Sequence, residues 1–500
     1  MSILNQHKHP LPLSLFRAAQ VRELDRLAID EYRVPGYELM KRAGESAFHI
    51  LREKWPRARR IIVLCGAGNN AGDGYVLARC ALEYGFEVAV IPFKPVEQLK
   101  GDALKAAQDF IKHNGQLIPF EVYQLDSRDV IVDALLGTGL EREVEGELFS
   151  AIEAANNSVV PKLALDIPSG LHADTGNIMG VAIEADVTVS FIGVKQGMFT
   201  ASGPDCCGQI IYNDLQVPHE IFIHVTPSVI RISHSVLERL LWKRQPSSHK
   251  GDNGHILIIG GDHGMMGAVL LAGEAALRAG AGLVSIATRP AHATALTSAR
   301  PELMCHGIEN ANDLIPLLER ADVVAVGPGL GRDRWGSSLL DKVLEYDLPM
   351  IVDADGLRLL AQDNVRRDNW ILTPHPGEAG ALLNTTSADI QKDRFTAVKA
   401  LQKKFGGVCV LKGTGTLIQT AEPLTYLCDA GNPGMGSGGM GDVLTGVIAG
   451  LLGQGLDLED ATRVAVYAHS TAADRAAVRG ERGMLASDLF PHLRCLVNPD

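Results

Sequence analysis

The stretch GNPGMGSGGMGD, residues 431–442, combines six glycines with one terminal carboxylate, Asp442. Apolar residues then recur at helical spacing from Val443 to Leu452, so the stretch leads into a buried helix. A helix start leaves backbone N–H groups unpaired and carries a partial positive charge, and glycine lets an anion approach the backbone. The residues therefore predict a phosphate-binding loop with an acid at its rim. A flexible linker is the alternative, but linkers seldom enter an apolar helix without a polar spacer.

Three other segments in this half place polar groups at the ends of apolar, strand-like runs: GPGLG (residues 327–331), TPHPGE with His375, and KGTGT with Lys412. Lys412 and the neighbouring amides suit a polyphosphate, although the chain contains no GxxxxGK[ST] loop. Phosphoryl transfer to a hydroxyl needs amides that stabilise the transferred group and a carboxylate that takes the hydroxyl proton. Asp442 is the predicted base.

In the first half, GAGNNAGDG lies between the strand-like RIIVLC and a helical segment, so its amides should face a ligand at the carboxyl edge of a sheet. Gly66, Gly68 and Ala71 also fit the dinucleotide pattern GxGxxG/A, which makes a dehydrogenase the alternative. The next strand, FEVAVI, is followed by PFKP, without the acid that would hold a ribose hydroxyl. Asn69 and Asp73 make this turn more polar than hydride transfer requires.

Two further predicted strands end near acids. Asp133 begins DALLGTGL, and Asp166 lies in LDIPSGL, three residues before Ser169. Because the carboxyl ends of adjacent parallel strands share one crevice, these groups should lie together, and oxygen ligands of this kind suit a hard cation rather than zinc. Any one acid could be a structural cap, but acids on neighbouring strands beside a glycine loop are seldom all caps.

The composition excludes several classes of protein. The net charge is −12 and the basic residues are scattered, which argues against a nucleic-acid or anionic-membrane surface. The eight cysteines include no CxxC pair, so neither a zinc site nor a disulfide framework is indicated. The amino terminus lacks a basic start followed by an apolar run, and no uncharged apolar stretch of about 18 residues occurs. We expect a cytoplasmic protein.

Short apolar strands alternate with helical segments along the chain, which predicts an α/β fold with mostly parallel sheets and helices on both faces. A helix is predicted near Ala18 to Tyr32, and two helices after the glycine-rich loop. The alternation of strand-like and helical segments is interrupted between about residues 217 and 251 and resumes at HILIIGG. We therefore predict two domains, residues 1–220 and 221–500.

The segments GAGNNAGDG, DALLGTGL, LDIPSG and FIGVKQG resemble the NAD(P)H-hydrate epimerases over most of residues 15–215, with Ala71 where the family's GNNGGDG has glycine. The resemblance implies a Rossmann-like three-layer sandwich and potassium held by Asn70, Asp133 and Ser169. The residues implied to contact the hydrated dinucleotide are Asn69, Asn70, Ala71, Gly72, Asp73, Gly137, Thr138, Gly139, Leu140, Glu141, Arg142, Glu143 and Asp166. Acid–base candidates are Asp166 and Lys195, and a solvated or structural lysine is the alternative for Lys195.

The segments KGDNGHILIIGG, MMGAVLLA, GPGLGR, TPHPGE, KGTGT and GNPGMGSGGMGD resemble the ribokinase-like superfamily, and more closely its NAD(P)H-hydrate dehydratase branch, over about residues 250–455. The resemblance implies that Ala268, Gly331, His375 and Asp442 contact the hydrated dinucleotide. For His375, a satisfied buried histidine is the alternative. The residues implied to bind the adenine nucleotide are Lys412, Gly413, Thr414, Gly415, Thr416 and Gly441.

Together the two resemblances imply metabolite repair. Hydration of the nicotinamide ring yields two epimers, and an epimerase would supply the one that a stereospecific dehydratase consumes. The implied co-substrate is ADP, favoured over ATP by the fused layout, with magnesium in the dehydratase domain. The expected partners are these small molecules and copies of the same chain in a homo-oligomer. Two alternatives stay open: a small-molecule kinase with a dinucleotide-binding first domain, and a dinucleotide sensor without turnover.

Overall fold

The computed structural model describes residues 11–120, 128–363 and 365–498. The amino-terminal stretch up to residue 10, considered above for targeting, lies outside the described residues. The chain divides into two compact units, the first ending at Ile230 and the second beginning at Arg231, whereas the sequence placed the junction near residue 220. Within the described ranges, no helix combines the length and apolar character needed to cross a membrane.

The first unit contains the strands β1 Ser14–Leu15, β2 Arg60–Cys65, β3 Glu87–Pro92, β4 Gln116–Leu117, β5 Asp129–Ala134, β6 Lys162–Leu165, β7 Val187–Phe191 and β8 Gln209–Asn213. Seven of them form a sheet in which every strand pair is parallel, in the order β4-β3-β2-β5-β6-β7-β8. The helices of this unit are α1 Ala18–Arg26, α2 Gly36–Lys54, α3 Asn69–Tyr84, α4 Gly101–Lys112, α5 Gly146–Asn156 and α6 Gly203–Cys207. Strand β1 stands outside this sheet.

Helices cover both faces of this sheet. Along β2, Ile61 and Val63 pack into the apolar cluster that contains α2, α3 and α4, while Ile62 and Leu64 pack into the cluster that contains Ile152 of α5. The alternation follows from the two-residue period of a strand. The three-layer prediction is confirmed. The strand order reverses between β2 and β5, and ligands of open α/β sheets bind outside the carboxyl ends of strands at such a point.

The amino-terminal segment is fastened to this unit by backbone pairing. Strand β1 pairs antiparallel with Val229 and Ile230, and Phe16 forms a parallel bridge with Lys195. The helix predicted near Ala18 is present as α1 and continues directly as a π-helix, Leu27–Glu31.

The second unit is also α/β. Its strands are β9 Val229–Arg231, which spans the division between the units, β10 His255–Ile259, β11 Leu283–Thr288, β12 Met304–Gly307, β13 Val323–Val326, β14 Met350–Val352, β15 Trp370–Leu372, β16 Val408–Leu411, β17 Thr416–Gln419 and β18 Thr425–Cys428. From β10 onwards their order is β18-β17-β16-β15-β14-β13-β10-β11-β12, parallel from β16 to β12 and antiparallel for β17 and β18.

The helices of the second unit are α7 Ser235–Leu240, α8 Met266–Ala279, α9 Pro290–Ala299, α10 Ile315–Leu318, α11 Arg334–Leu344, α12 Ala354–Leu360, α13 Pro376–Leu383, α14 Ser387–Lys392, α15 Arg394–Phe405, α16 Met440–Gly453, α17 Leu458–Ala476 and α18 Phe490–Leu496. Buried residues of α8, α16, α17 and α18 form one apolar cluster against the sheet. Helix α16 begins at the end of the glycine-rich stretch, as predicted. The sequence predicted two helices here and missed α18, a seven-residue helix with a proline in its first turn.

Candidate active sites

A pocket of oxygen atoms lies at the reversal point of the first sheet. Asp133, the penultimate residue of β5, accepts hydrogen bonds from the Ser169 hydroxyl at 2.5 Å and the Ser169 amide at 2.7 Å. Asn70, in the first turn of α3, donates to the Leu136 carbonyl at 3.0 Å. Its other amide atom, Oδ1, is buried and has no hydrogen-bond partner within the described part of the chain. The structure thus brings Asn70, Asp133 and Ser169 together, as predicted from the sequence.

The donor set of this pocket fits a monovalent or other hard cation. It offers an unpaired amide oxygen, a carboxylate and a hydroxyl, and oxygen ligands of these kinds suit hard cations. Burial raises the pKa of Asp133 to about 6, against the hydrogen bonds from Ser169 and Leu135. The described residues hold no group of three or more His, Cys, Asp or Glu that could bind a metal.

The loop after β5 and the start of α3 form the rim of this pocket. An ideal Cβ built on Gly137 would lie 3.4 Å from Cβ of Asn70, so the predicted dinucleotide loop, residues 137–143, begins against α3. Glu141, Arg142 and Glu143 are exposed. Ala71, which stands where the family pattern has glycine, is helical and its φ is not positive. Its methyl group therefore causes no backbone strain.

Asp166 and Lys195 form an ion pair beside this pocket. The Lys195 ammonium contacts Asp166 and donates to the Ser190 hydroxyl at 3.2 Å. The side chain of Lys195 is fully buried, whereas that of Asp166 is 19% exposed, so only the carboxylate reaches the crevice surface. Asp166 has a left-handed backbone with φ +65°, and its amide donates to the Val189 carbonyl at 2.7 Å. Lys195 is therefore not the solvated lysine considered as the alternative.

The charges of this ion pair also change the pKa values of two further carboxyl groups, those of Asp25 and Asp73. Asp73 of α3 belongs to the predicted set, whereas Asp25 of α1 was missed. Burial, followed by the negative charge of Asp166, raises the pKa of Asp25 to about 7 and raises the pKa of Asp73 well above its usual range. The sequence contains a signal for Asp25: it lies on the buried stripe between Val21 of α1 and Ala28 of the π-helix that continues it, where an acid is out of place.

In the second unit, the predicted anion-binding residues lie at the start of α16. Gly439 precedes the helix with φ +91°, and Asp442 lies in the first turn. An ideal Cβ on Gly441 would lie 3.3 Å from the Lys412 Nζ and 3.5 Å from the Asp353 Oδ2. Glycine at 441 therefore leaves room beside the ammonium group. The free backbone amides of the helix start and this cation together can bind the oxygens of a phosphoryl group.

Lys412 is held at this position by acids that the sequence analysis missed. Its ammonium donates to Asp353 at 2.8 Å and lies 3.9 Å from Glu378, and Asp353 also accepts from the Thr445 hydroxyl at 2.8 Å. Burial opposes ionisation of Asp353, but Lys412 and the hydrogen bonds hold its pKa below the usual value. Asp353 ends the strand-like run PMIVD, so a carboxylate at a strand end was the available signal.

Asp442 differs electrostatically from its neighbour Asp353. Burial, followed by the negative charge of Asp353, raises the pKa of Asp442 to about 7, and Lys412 opposes this effect. A carboxyl group with a pKa near the working pH suits a general base.

His375 caps α13 and presents its ring outward. Its Nδ1 accepts from the amide of Gly377 at 3.0 Å, and its own amide donates to Glu378 at 2.9 Å. Since Nδ1 accepts, the proton of the neutral ring is assigned to Nε2, which lies 3.2 Å from Glu378 Oε1. The side chain is 47% exposed, so the alternative of a buried structural histidine is wrong.

Ala268, in the first turn of α8, and Gly331, at the end of the GPGLG turn, lie at the reversal between β10 and β13. An ideal Cβ on Gly329 would lie 3.3 Å from Cβ of Ala268, which places the start of α8 against the GPGLG turn. Gly331 donates its amide to Asp355 at 3.1 Å, and an added Cβ would meet Asp262 at 2.6 Å.

The predicted nucleotide segment, residues 412–416, forms the hairpin turn between β16 and β17. Arg394 lies under this turn and is almost fully buried. Its guanidinium donates to the carbonyls of Leu411 at 3.3 Å, Lys412 at 3.4 Å and Gly415 at 3.3 Å. It thereby supports the backbone of Gly413, Thr414 and Thr416 from below. Nothing in its sequence context distinguishes Arg394 from an ordinary helix-surface arginine.

Comparison with known proteins matches both halves. Residues 36–197 match the family described as YjeF-related protein N-terminus, and residues 256–494 match NAD(P)H-hydrate dehydratase. The bifunctional NAD(P)H-hydrate repair enzyme Nnr of Coxiella burnetii is 51% identical over 97% of this chain and 99% of its own. The bifunctional NAD(P)H-hydrate repair enzyme Nnr of Escherichia coli is 45% identical over 98% of this chain and 95% of its own.

A solved structure of a ribokinase-like superfamily protein from Enterococcus faecalis is 30% identical, covers 54% of this chain and 95% of its own, and superimposes with a TM-score of 0.51. The ribokinase-like prediction is confirmed. With both domain families present, and with relatives of this identity matched over nearly its full length, the chain belongs to the family of bifunctional NAD(P)H-hydrate repair enzymes.

Proposed function

We propose that the first unit interconverts the R and S hydrates of NADH and NADPH, and that the second unit dehydrates the S hydrate with ADP, giving AMP and phosphate. The observation that carries the proposal is the position of the Lys412 ammonium beside Gly441, at the helix start that bears Asp442. A cation, free amides and a carboxyl group with a raised pKa are the parts that phosphoryl transfer to a hydroxyl needs.

In the dehydratase, Asp442 takes the proton of the substrate hydroxyl as its oxygen attacks the terminal phosphorus of ADP. The amides at the start of α16 and Lys412 stabilise the charge on the transferred group. Hydroxide is a poor leaving group, and phosphate is a good one. Loss of phosphate and of a proton from the adjacent ring carbon restores the reduced nicotinamide. Ala268, Gly331 and His375 contact the hydrated dinucleotide beside Asp442.

The adenine nucleotide is bound by the turn of residues 412–416 and by Gly441. Arg394 supports this role because it ties three carbonyls of the turn and its flanks to one rigid group. Magnesium would enter with the phosphates of the nucleotide, whose oxygens are its usual ligands, and would neutralise part of their charge.

In the epimerase, Asn70, Asp133 and Ser169 hold potassium, and the buried unpaired oxygen of Asn70 supports this assignment. Potassium would supply fixed positive charge next to the dinucleotide. The loop of residues 137–143, the α3 start from Asn69 to Asp73, and Asp166 contact the substrate. The ring nitrogen helps to expel the hydroxyl, and Asp166 with Lys195 moves the proton on the side of the ring that they face.

The decisive experiment incubates the purified chain with mixed NADH hydrates and either ADP or ATP, and follows both epimers by chromatography. Recovery of the absorbance of reduced nicotinamide, with both epimers consumed, supports the proposal. Accumulation of a stable phosphoester would instead indicate a kinase that stops at the phosphorylated product, and binding without change would indicate a sensor. Comparison of the two nucleotides decides between ADP and ATP.

The homo-oligomeric state and the cytoplasmic location stay predictions from the sequence. Light scattering after size-exclusion chromatography and fractionation of cells test them.

A further inference from the structure

Epimerisation involves proton transfer on both faces of the nicotinamide ring, whereas one ion pair serves only one face. The departing hydroxyl leaves from one face of the ring and must receive a proton there, whereas inversion requires water to add from the other face and to lose a proton there. A proton-transferring group on each side would therefore accelerate inversion of this carbon. In the site proposed above, on which this inference rests, Asp166 and Lys195 supply one side.

Helix α1 is fixed against the segment that carries Lys195. Phe16 donates its amide to Val194 at 2.9 Å and accepts from the amide of Gln196 at 3.0 Å. An ideal Cβ on Gly193 would lie 2.9 Å from Cγ2 of Val21 and 3.3 Å from Cδ1 of Leu24. Asp25 follows Leu24 and lies one turn after Val21, so it projects from the face of α1 that packs on this segment.

The carboxyl groups of Asp25 and Asp73 have no hydrogen bond or ion pair in the parts of the chain that the structure describes, although both side chains are half-buried. The charged groups facing them are Asp166 and Lys195 from the turns after β6 and β7, and each other from α1 and α3. Burial and the negative charge of Asp166 disfavour ionisation of Asp25 and Asp73, so these two carboxyl groups can carry a proton between them.

We propose that Asp25 and Asp73 form the second acid–base group of the epimerase, facing the hydroxyl-bearing carbon from the side opposite to Asp166 and Lys195. For the epimer whose hydroxyl lies on their side, the protonated member gives its proton to the departing oxygen. The C–O bonding pair goes to that oxygen, and the ring-nitrogen lone pair forms the C=N bond.

Water then adds from the Asp166 side. A water lone pair forms the new C–O bond, the C=N π pair returns to nitrogen, and the excess proton passes to the Asp166–Lys195 pair. The other epimer reacts by the reverse sequence. Water is released and consumed in equal amount. The Asp166–Lys195 pair then gives its extra proton to bulk water and the Asp25–Asp73 pair regains one from it, so the enzyme returns to its starting state without a co-reactant.

The test uses the full chain in ¹⁸O-labelled water, with each pure epimer supplied separately and nucleotide omitted. Wild type should place label in both epimers from either starting material. The Asp25→Asn/Asp73→Asn double variant should lose inversion by about a hundredfold or more, and each single variant by at least about tenfold. The double variant should still exchange label, without inversion, into the epimer whose hydroxyl faces Asp166. The Asp166→Asn variant should exchange label only into the opposite epimer.

This reciprocal pattern separates catalysis from a structural effect, which would abolish exchange into both epimers. Dehydratase activity of the same preparations on the S hydrate shows that the chain is intact. Asp30→Asn is the matched control, because Asp30 is an exposed acid close to Asp25. If Asp25→Asn or Asp73→Asn inverts the epimers at the wild-type rate while Asp166→Asn does not, the assignment of Asp25 and Asp73 as the second acid–base group is wrong. If Asp166→Asn also inverts normally, the proposed epimerase site itself is wrong. Loss of label exchange into both epimers in the double variant would likewise overturn the assignment.

Discussion

The electrostatics of Asp442 lead to a pH dependence that can be measured. The pKa of Asp442 is raised to about 7, first by burial and then by Asp353. A general base works only when ionised, so the dehydratase rate should rise with pH. The ionised fraction grows from roughly one-tenth at pH 6 to roughly nine-tenths at pH 8, which predicts about a tenfold increase in rate. A carboxyl group with an ordinary pKa would give a flat profile over this range.

The substitution Asp353→Asn should move this profile to lower pH. It removes the negative charge that disfavours ionisation of Asp442, and it leaves the Lys412 ammonium, which favours ionisation, without its closest acid. Both changes lower the pKa of Asp442. A neighbouring unit charge in a partly hydrated site contributes on the order of 2 kcal/mol, and one pKa unit corresponds to about 1.4 kcal/mol, so we expect a shift of about one pH unit or more.

The assay is kcat/KM for the S hydrate at saturating magnesium and nucleotide, followed by the absorbance of reduced nicotinamide between about pH 5.5 and 8.5. Thr445→Val is the matched control, because it removes a hydrogen bond to Asp353 and keeps the charge. Its profile should stay within a few tenths of a pH unit of wild type. A flat wild-type profile would refute the assignment of Asp442 as a base of raised pKa. Coincident profiles for wild type and Asp353→Asn would refute the electrostatic account.

Three further predictions concern single groups. Asp442→Asn should lower dehydration about a hundredfold or more, with nucleotide affinity by calorimetry near normal, because the side chain keeps its size and loses the base; turnover near wild type contradicts this. Asn70→Ala and Asp133→Ala should impair epimerisation and its response to potassium but spare the dehydratase, and normal exchange of epimers in potassium-free buffer would show that the ion site is wrong. Gly441→Ala should weaken nucleotide binding and slow dehydration about tenfold or more, since its methyl group would crowd the Lys412 ammonium at 3.3 Å; unchanged kinetics would contradict the proposed position of the phosphoryl group.

Much of the fold could be predicted from the sequence because its signals are local. Buried parallel strands are continuous apolar runs, and glycine-rich turns mark their carboxyl ends. The start of α16 was predictable for the same reason, since the apolar helical pattern begins directly after the glycines. The strands that were missed are β1, β4, β8, β9, β12, β17 and β18. They are short, and β4, β8 and β12 are exposed or only partly buried, so no long apolar run marks them.

The amino-acid sequence is enough to predict which segments carry chemistry, because the two glycine loops, the strand-end acids and the lysines are all local patterns. Which of these groups meet depends on the tertiary structure. Strands β14, β15 and β16 are adjacent, so Asp353, Glu378 and Lys412 converge although Asp353 and Lys412 lie 59 residues apart. Asp25 lies close enough to Asp166 and Lys195 for their charges to act on its pKa, because α1 packs on the turn after β7. The raised pKa values follow from the same placement, because desolvation and through-space charge depend on what surrounds a group in three dimensions, and no local pattern contains that.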